Sequence, residues 1–259
     1  MTKTKKHEST VMSLSSDDSH HARESLFSHF ISYPAVPEET ERSLGLFIRG
    51  SLLARFLAVD ELYRKIIDFP GSILDIGTWR GQTAVLCENF RAIYEPLNLY
   101  RRIVCFDTFE GYKGFGEKDR STELHKNGTY NVGGENYAAL LREILQLHEQ
   151  NNAMGHNHGK HKVICGDCRK SIPLFFQDKP EEFVSLAFFD LNSFEPTKEA
   201  FNEVQSRLVP GGILAFWQLS RGSAISAEGK FYTEEILNNY KHSIRRTKSY
   251  PSLCYLIKE

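Results

Sequence analysis

The chain has 259 residues, of which 41% are hydrophobic, and its 32 basic residues nearly balance its 33 acidic ones. The formal net charge of −1 offers no field that would attract nucleic acid or an anionic membrane, and the length allows a substantial core. No apolar run has the length of a membrane span, and the N-terminal residues contain no signal-peptide core. We therefore expect a cytoplasmic protein that binds neither nucleic acid nor membranes.

The first predicted elements are a tail and a group of helices. Residues 1–23 are polar and serine-rich, which predicts a disordered tail because little apolar surface is available to offset the entropy of ordering. Residues 24–70 are predicted to form a helical cap, since Leu53, Phe56 and Leu57 recur at helical spacing. A Phe-Pro-Gly segment then ends the helical pattern.

Residues 71–259 alternate between short apolar runs and helical patterns, which is typical of a doubly wound, Rossmann-like α/β domain. We expect the apolar runs to form parallel strands with helices between them. The closing runs IRRTKS and SLCYLIKE are predicted to pair as an antiparallel C-terminal hairpin, giving a mostly parallel seven-stranded sheet. The predicted parallel strands are SILDIG, RRIVCFD, KVICGD, EFVSLAFFD and GGILAFWQL.

A glycine-rich polar insertion at about residues 112–134 follows the second predicted strand. Open α/β sheets bind ligands at the carboxyl ends of their strands, so a long loop at this position is predicted to form a lid or a substrate wall. An ordinary surface insertion is the alternative interpretation. The insertion contains His125, which becomes a candidate catalytic residue if the loop covers a site.

Two groups of metal- or redox-type residues are interpreted as structural. Cys165 and Cys168 have the spacing of a redox pair, but the first ends a predicted strand, and an odd total of five cysteines favours buried thiols over a disulfide framework. His156, His158 and His161 lie in one glycine-containing loop with no cysteine or carboxylate partner nearby in the sequence. This arrangement favours a solvated connector over a metal site.

The segment LDIGTWRGQTA, residues 74–84, joins the first strand to the following helix. Its strand ends on Asp75, and Gly77 and Gly81 then permit a sharp turn and the close approach of a ligand to the start of the helix. A dinucleotide-binding turn requires G-x-G-x-x-G, which is absent. An acid immediately before the turn favours a cationic or amino-bearing ligand over a pyrophosphate.

Two other strands also end on an acid. Asp107 ends the second strand, where a ribose diol is commonly held by paired hydrogen bonds, and Asp167 ends the third, within reach of an adenine amino group. Each acid alone is weak evidence, because acids at strand ends are frequent turn residues. Together with Asp75, on successive strands of one sheet, they predict a site for an adenosine-bearing ligand.

These motifs resemble those of the class I methyltransferases that use S-adenosylmethionine, and the resemblance covers residues 71–259. In that family D/E-x-G-x-x-x-G lies by the methionine moiety, the acid ending the second strand holds the ribose, and an acid after the third strand approaches the adenine. The resemblance implies S-adenosylmethionine as the cofactor. It implies cofactor contacts for Asp75, Gly77, Thr78, Trp79 and Gly81, for Asp107, Thr108 and Phe109, and for Asp167 and Cys168.

Four segments are similar, in order, to those of the macrocin O-methyltransferase-like branch, whose members methylate sugar hydroxyls. They are PGSILDIGTWRGQTA, FDTFEG, YNVGGENYAALL, and DLNSFEPTKEAF followed by LVPGGILAF. The resemblance implies an O-methyltransferase of natural product biosynthesis that acts on a sugar or another polyhydroxylated small metabolite. It also implies that the N-terminal helices form a cap or the interface of a homo-oligomer.

The chain departs from this branch at the residues that bind the acceptor and a metal. The branch has D-x-D-x-Y-x-x-T on the fourth strand and an acidic pair ending the fifth, and these carboxylates hold a divalent cation. Here Asp190 matches the first acid, whereas Asn192, Trp217 and Gln218 replace the other three. One carboxylate supplies little charge for a hard cation, so we expect no divalent metal.

Asp190 is the first candidate for a general base, because it ends the fourth strand facing the expected cleft, and His125 is the second. Asn192, Trp217 and Gln218 are predicted to bind the acceptor, through amide hydrogen bonds and stacking on the indole ring. Two alternatives remain open. One is a catalytically decayed protein that only binds S-adenosylmethionine, and the other is a nicotinamide-dependent oxidoreductase, which the missing G-x-G-x-x-G disfavours.

Overall fold

The computed structural model describes residues 16–113, 115–119, 126–152, 159–220 and 227–259. The chain divides into two compact units, Met1–Leu53 and Ala54–Glu259. The first unit contains α1 (Asp17–Ile31), α2 (Pro37–Arg42), a 3-10 turn (Leu44–Leu46) and the beginning of α3 (Gly50–Lys65). The division therefore falls inside α3, upstream of the boundary predicted at residue 70.

The second unit carries the predicted alternation of strands and helices. No helix of the described residues is long and apolar enough to cross a membrane. In chain order the elements are β1 (Ser72–Ile76), α4 (Gln82–Tyr94), β2 (Ile103–Asp107), α5 (Glu135–Asn152), β3 (Lys162–Cys165), α6 (Cys168–Asp178), β4 (Val184–Phe189), α7 (Phe194–Arg207), β5 (Leu208–Phe216), α8 (Ala227–Phe231), a π-helical turn (Tyr232–Ile236), β6 (His242–Arg246) and β7 (Cys254–Lys258).

The predicted disordered tail is wrong for residues 17–23, which form the first part of α1. The Ser16 hydroxyl caps this helix by accepting a hydrogen bond from the Ser19 amide at 3.2 Å. Asp17 and Asp18 add negative charge to the first turn, where the helix dipole favours it. Residues 1–15 of the predicted tail lie outside the described residues.

The seven strands form one sheet in the order β3-β2-β1-β4-β5-β7-β6. Strands β1 to β5 pair in parallel, whereas β7 pairs antiparallel with β5 and with β6. This arrangement confirms the predicted Rossmann-like, doubly wound fold with an antiparallel C-terminal hairpin. The strand order reverses between β1 and β4, and the crevice at such a reversal is where open α/β sheets bind ligands.

Two apolar layers cover the two faces of the sheet. Successive side chains of a strand point to opposite faces, so Leu74 and Ile76 of β1 enter one layer and Ile73 enters the other. The first layer includes apolar residues of α6, α7 and α8, and the second includes those of α3, α4 and α5. Burial on both faces explains why the parallel strands read as continuous apolar runs.

The two edge strands are short and carry basic side chains. Strand β3 has four residues and begins with the exposed Lys162. Strand β6 has five residues and exposes Arg245 and Arg246.

At the amino end of the parallel strands, the buried Arg101 joins several backbone segments. Its guanidinium donates to the carbonyl oxygens of Phe69 and Gly71 at 2.9 and 2.7 Å, and to the Ser185 hydroxyl of β4 at 2.9 Å. An ion pair with Glu95 at 2.8 Å balances its charge. The guanidinium thus fixes the start of β1 against β4, so that the carboxyl ends of both strands meet in register.

Candidate active site

Asp75, near the end of β1, is the most buried of the acids predicted to face a ligand, with 3% exposure. Its Oδ2 has no hydrogen-bond partner among the described residues. Burial raises the pKa of Asp75 to about 7, and the nearby charges of Asp190 and Asp107 act in the same direction. Three of the predicted acids therefore lie close enough together to influence one another electrostatically.

The turn after β1 requires glycine at two positions for reasons of packing. Gly77 has a φ of +82°, and a Cβ at this position would lie 2.6 Å from the carbonyl oxygen of Asp190. Gly81 has a φ of +81°, and a Cβ there would collide with the side chain of Leu141 in α5. The interpretation that Gly81 makes room for a ligand is therefore corrected, because the room is filled by α5. Both glycines keep the turn tight against its neighbours.

Asp107, at the end of β2, holds two loops together. Its carboxylate accepts hydrogen bonds from the amides of Trp79 at 2.7 Å and of Phe109 at 2.6 Å. Both donors have a positive φ, +51° and +55°, and the carboxylate stabilises this strained backbone. Burial raises the pKa of Asp107, while the two amides act in the opposite direction. Each carboxylate oxygen can accept further hydrogen bonds, so a ligand hydroxyl can share this acid.

The threonines of these two loops use their hydroxyls to stabilise turns. Thr78 Oγ1 donates to the carbonyl oxygen of Asp75 at 2.6 Å, and Thr108 Oγ1 donates to that of Gly111 at 3.0 Å. Trp79 is different, because 44% of its surface is exposed at the mouth of the site. Its ring packs edge-on against Tyr130 with 5.7 Å between centroids.

The third acid, Asp167, forms its hydrogen bonds with Arg169 of the following helix, α6. Its side chain accepts a hydrogen bond from the Arg169 amide at 3.0 Å and caps α6, and the Arg169 guanidinium pairs with Oδ2 at 2.6 Å. The hydrogen bond to Arg169 lowers the pKa of Asp167. The next residue, Cys168, is 5% exposed and belongs to the apolar layer with α7, where burial raises its pKa to about 12. The Cys168 side chain thus packs in the apolar layer, and the cofactor contact predicted for this residue stays a prediction.

Asp190 and Gln218, which follow β4 and β5, lie side by side. Gln218 Nε2 donates to Asp190 Oδ1 at 3.0 Å. Asn192 is buried and has a φ of +48°, and its side chain lies near Tyr112 of the insertion, where it acts to lower the pKa of that phenol. Burial, followed by the charge of Asp190, raises the pKa of Tyr112. A carboxylate, two amides and a phenol thus line one part of the crevice.

Glu228, in α8, also belongs to this cluster, although it is not among the site residues predicted from the sequence. It is fully buried, and its Oε2 accepts a hydrogen bond from the Gln218 amide at 2.8 Å. Its charge contributes to the raised pKa of Tyr112. The segment AEGKF offers a recognisable signal, an acid beside a glycine after the fifth strand, but only the fold brings that acid under Gln218.

Trp217 does not offer a stacking surface, which corrects the role predicted for it. The residue is 3% exposed, and its ring lies nearly parallel to that of Phe188 at 6.2 Å. The guanidinium carbon of Arg55 in α3 lies 4.0 Å from the indole centroid, and Tyr250 packs edge-on at 5.7 Å. The side chain points into the layer formed with α3, because it follows the alternation of β5.

The insertion at 112–134 is closed at its base and reaches α7. The Tyr112 amide donates to the Thr129 carbonyl at 3.0 Å, and the Gly128 amide donates to the Tyr112 carbonyl at 2.9 Å. Farther along, Asp119 Oδ1 accepts a hydrogen bond from the Phe194 amide at 2.8 Å, which caps α7. His125, the second candidate base, lies outside the described residues.

The structure confirms the interpretation of the cysteines but not that of the histidine loop. The five cysteines are free thiols, as predicted, and Cys165 donates to the Thr108 carbonyl at 3.5 Å. His161 is not solvated, because its side chain is buried between the Ile103 amide and Glu88, at 3.0 and 2.8 Å. His156 and His158 lie outside the described residues. Within the part of the chain that the structure describes, no three histidine, cysteine or acidic side chains form a group suited to a metal.

Comparison with known proteins bears on the same residues. A family model described as a methyltransferase domain matches residues 74–216, a segment that runs from β1 to the end of β5. It includes the three strand-end acids and Asp190, while Gln218 and Glu228 follow it. Comparison with curated proteins gave no match.

Several solved structures are similar to the chain. The crystal structure of CalS11, a calicheamicin methyltransferase, shares 30% identity with a TM-score of 0.86, and 93% of each chain is covered. The apo structure of CalS11, described as a TDP-rhamnose 3'-O-methyltransferase of calicheamicin biosynthesis, shares 29% identity with a TM-score of 0.79, covering 93% of this chain and 95% of that one. The O-methyltransferase NovP shares 15% identity with a TM-score of 0.58 and 79% of each chain covered, a likeness of fold alone.

Proposed function

Because the chain belongs to the methyltransferase-domain family and is an S-adenosylmethionine-dependent methyltransferase, we propose that it methylates a hydroxyl of a sugar or another polyhydroxylated small metabolite. The observation that carries the proposal is the 30% identity to CalS11 over 93% of both chains. CalS11 is described as a TDP-rhamnose 3'-O-methyltransferase, so a nucleotide-linked deoxysugar is the first acceptor to test.

The residues at the ends of β1 and β2 suit this cofactor. When bound, S-adenosylmethionine supplies a methyl group that is already activated by its sulfonium. Asp75, whose Oδ2 has no partner among the described residues, suits the cofactor's ammonium group. Asp107 suits a ribose diol, because its carboxylate is fixed by two amides and can accept further hydrogen bonds. The carboxylate of Asp167 suits adenine less well, since Arg169 occupies it.

Asp190 is the general base in this proposal. Its carboxylate accepts the proton that the acceptor hydroxyl loses as the hydroxyl oxygen is methylated. Gln218 orients that carboxylate through Nε2 at 3.0 Å, and Glu228 in turn fixes the backbone of Gln218 at 2.8 Å. General-base assistance contributes about 10²–10⁴-fold in such reactions, and alignment of the reactants contributes much of the rest. His125 remains the second candidate for the same role.

We further propose that transfer needs no divalent cation. The donor set argues for this, since Asn192 and Gln218 stand where the related branch has acids, and Gln218 presents its amide donor to Asp190. Glu228 accepts a hydrogen bond from the Gln218 amide through Oε2. A hard cation is held largely by anionic oxygens, and of the positions where the related branch has acids only Asp190 keeps one. Activity should therefore persist after treatment with a chelator, and loss of activity that Mg²⁺ restores would contradict the proposal.

The proposed activity is tested in two stages. Calorimetry should show binding of S-adenosylhomocysteine and none of NAD, and the reverse result would contradict the cofactor. Transfer of labelled methyl groups to TDP-rhamnose and related sugars should then fall by about 10²–10⁴-fold in Asp190→Asn. Asp178→Asn, which alters an exposed acid at the end of α6, is the matched control and should be unchanged. Cofactor binding with no transfer to any sugar would overturn the acceptor class.

A further inference from the structure

The guanidinium of Arg55 is held by aromatic rings rather than by acids. Its central carbon lies 4.0 Å from the ring centroid of Trp217 and 5.5 Å from that of Tyr250. Among the described residues it forms neither a hydrogen bond nor an ion pair. Contact with aromatic faces stabilises a cation while leaving the N–H donors at the edge of the guanidinium available. The N–H groups of Arg55 are thus available to a bound ligand.

Arg55 lies on the same face of the sheet as Asp75. Asp75 in β1, Phe188 in β4 and Ala215 in β5 pair across three adjacent strands. Their side chains point toward the layer that contains Trp217, and the ring of Phe188 stacks on that of Trp217. The ring beneath Arg55 therefore adjoins the row that contains Asp75. Burial raises the pKa of Asp75, and the positive charge of Arg55 acts in the opposite direction, which is consistent with this proximity.

A cation and an acid with unused hydrogen-bonding capacity, side by side, match the two charges of an α-amino acid. The ammonium of such a group requires an acceptor, which Asp75 Oδ2 provides. Its carboxylate requires a cation, and the planar fork of an arginine is the side chain best suited to bind a carboxylate through two hydrogen bonds. The amino-acid end of S-adenosylmethionine carries these two groups.

We propose that Arg55 binds the carboxylate of the cofactor's methionine moiety, and that Arg55 and Asp75 together form a receptor for its zwitterionic end. The proposal rests on the proposed cofactor site at the end of β1. It assigns a specific role to α3, a helix that the sequence placed in a cap outside the cofactor-binding domain. It also gives Trp217 a function, since the indole that offers no stacking face to an acceptor holds the guanidinium in place.

Calorimetry with two ligands separates this role from a general contribution to packing. S-adenosylhomocysteine carries both charged groups, whereas its decarboxylated analogue keeps the amine and lacks only the carboxylate. Arg55→Met retains the apolar stem against Trp217, and we expect it to weaken S-adenosylhomocysteine binding by about tenfold to a hundredfold. Binding of the decarboxylated analogue should change by no more than about twofold, because the lost hydrogen bonds have no counterpart there.

Arg64→Met is the matched control. Arg64 lies on the same helix, its side chain is 60% exposed and paired with Asp60, and its substitution should affect neither ligand. Thermal melting of each variant checks that the fold is retained. Arg55→Lys should give an intermediate loss, since it keeps the charge and removes the fork.

Three different results would contradict the proposal. Equal weakening of both ligands by Arg55→Met would assign Arg55 to packing and overturn the proposal. Unchanged cofactor binding with a raised KM for the acceptor would overturn it in favour of an anionic group on the acceptor, such as a nucleotide phosphate. If the unmodified protein bound no S-adenosylhomocysteine, both the proposed function and this inference would fail. A failure of this inference alone would show only in the variants, with cofactor binding by the unmodified protein intact.

Discussion

At the scale of single residues, the protonation of Asp75 should be linked to the binding of a cation. Its pKa is raised to about 7, so a large part of the population carries a proton at about pH 6. An ammonium group placed beside Asp75 favours the ionised form. Binding of S-adenosylhomocysteine at about pH 6 should therefore release close to one proton, and at about pH 8 almost none. Calorimetry in buffers of different ionisation enthalpy measures this number.

The controls for this linkage are a variant and a ligand. Asp75→Asn should abolish the proton release, and 5'-methylthioadenosine, which has no ammonium group, should cause none in the unmodified protein. A proton release that persists in the variant would assign it to another group.

The same raised pKa of Asp75 means that the folded state binds more protons than the unfolded state between about pH 4 and pH 7. The stability of the ligand-free protein should accordingly fall as the pH rises through this window, and Asp75→Asn should flatten that slope.

The side chain of Gln218 should determine whether the part of the site around Asp190 can bind a divalent cation. Gln218→Glu would replace the donor at 3.0 Å from Asp190 with a second carboxylate, and like charges at that separation repel. We expect activity to fall at least tenfold without metal and to recover in part when Mg²⁺ is added, because two carboxylates supply the charge that a hard cation needs. Rate measurements with chelator and with Mg²⁺ check this. Gln218→Ala, which adds no charge, should not respond to Mg²⁺.

At the scale of elements, the insertion is connected to α7 through a helix cap. The residue before α7, Ser193, makes no side-chain capping hydrogen bond, and Asp119 supplies one to the Phe194 amide at 2.8 Å. Lys118 adds an ion pair with Glu234 at 2.8 Å. Movement of the insertion is therefore coupled to the start of α7, directly after Asn192.

Asp119→Ala should release this connection. Loss of a capping hydrogen bond costs about 1 kcal/mol, so hydrogen exchange in residues 115–119 should accelerate about fivefold. If the insertion acts as a lid over the acceptor, the KM for the acceptor should rise severalfold while the affinity for S-adenosylhomocysteine changes little. Asp119→Asn keeps an acceptor oxygen and should resemble the unmodified protein. Faster exchange with unaltered kinetics would remove the lid role from the insertion.

The amino-acid sequence indicates the positions of the elements better than the directions of their side chains. The strand ends were predictable because glycines and acids interrupt apolar runs, and the acids at Asp75, Asp107 and Asp190 do lie together. The error at Trp217 has a structural cause. Trp217 directly follows β5, and the face of the sheet that its side chain enters depends on the pairing of β5 with distant strands, which a local pattern does not specify.

The role of Glu228 could not be predicted from the sequence for another reason. Its contact with Gln218 depends on how the chain returns after β5, and nothing within the segment AEGKF indicates that return. The start of α1 was missed for a different reason, since its composition is polar and its helix depends on the cap at Ser16. Local composition underestimates a helix whose stability comes from its end.

At the scale of the whole molecule, Arg101 connects the parts that hold the sheet together. Arg101→Met would leave Glu95 charged and buried and several carbonyl groups without a donor. Removing one partner of a buried ion pair costs about 3–5 kcal/mol, so Tm should fall by roughly 6–20 °C. The neighbouring Arg102 pairs with Glu182 but is 38% exposed, and Arg102→Met should cost no more than about 1 kcal/mol. Equal losses in the two variants would contradict the role assigned to Arg101.

The basic residues of the two edge strands have a consequence for association between chains. An edge strand offers unpaired backbone groups to any other strand, and charged side chains on the edge discourage such pairing through repulsion between copies. Arg245 and Arg246 on β6 and Lys162 on β3 place like charges on both open sides of the sheet. High salt, which screens these charges, should therefore be the condition under which concentrated protein first joins edge to edge into aggregates.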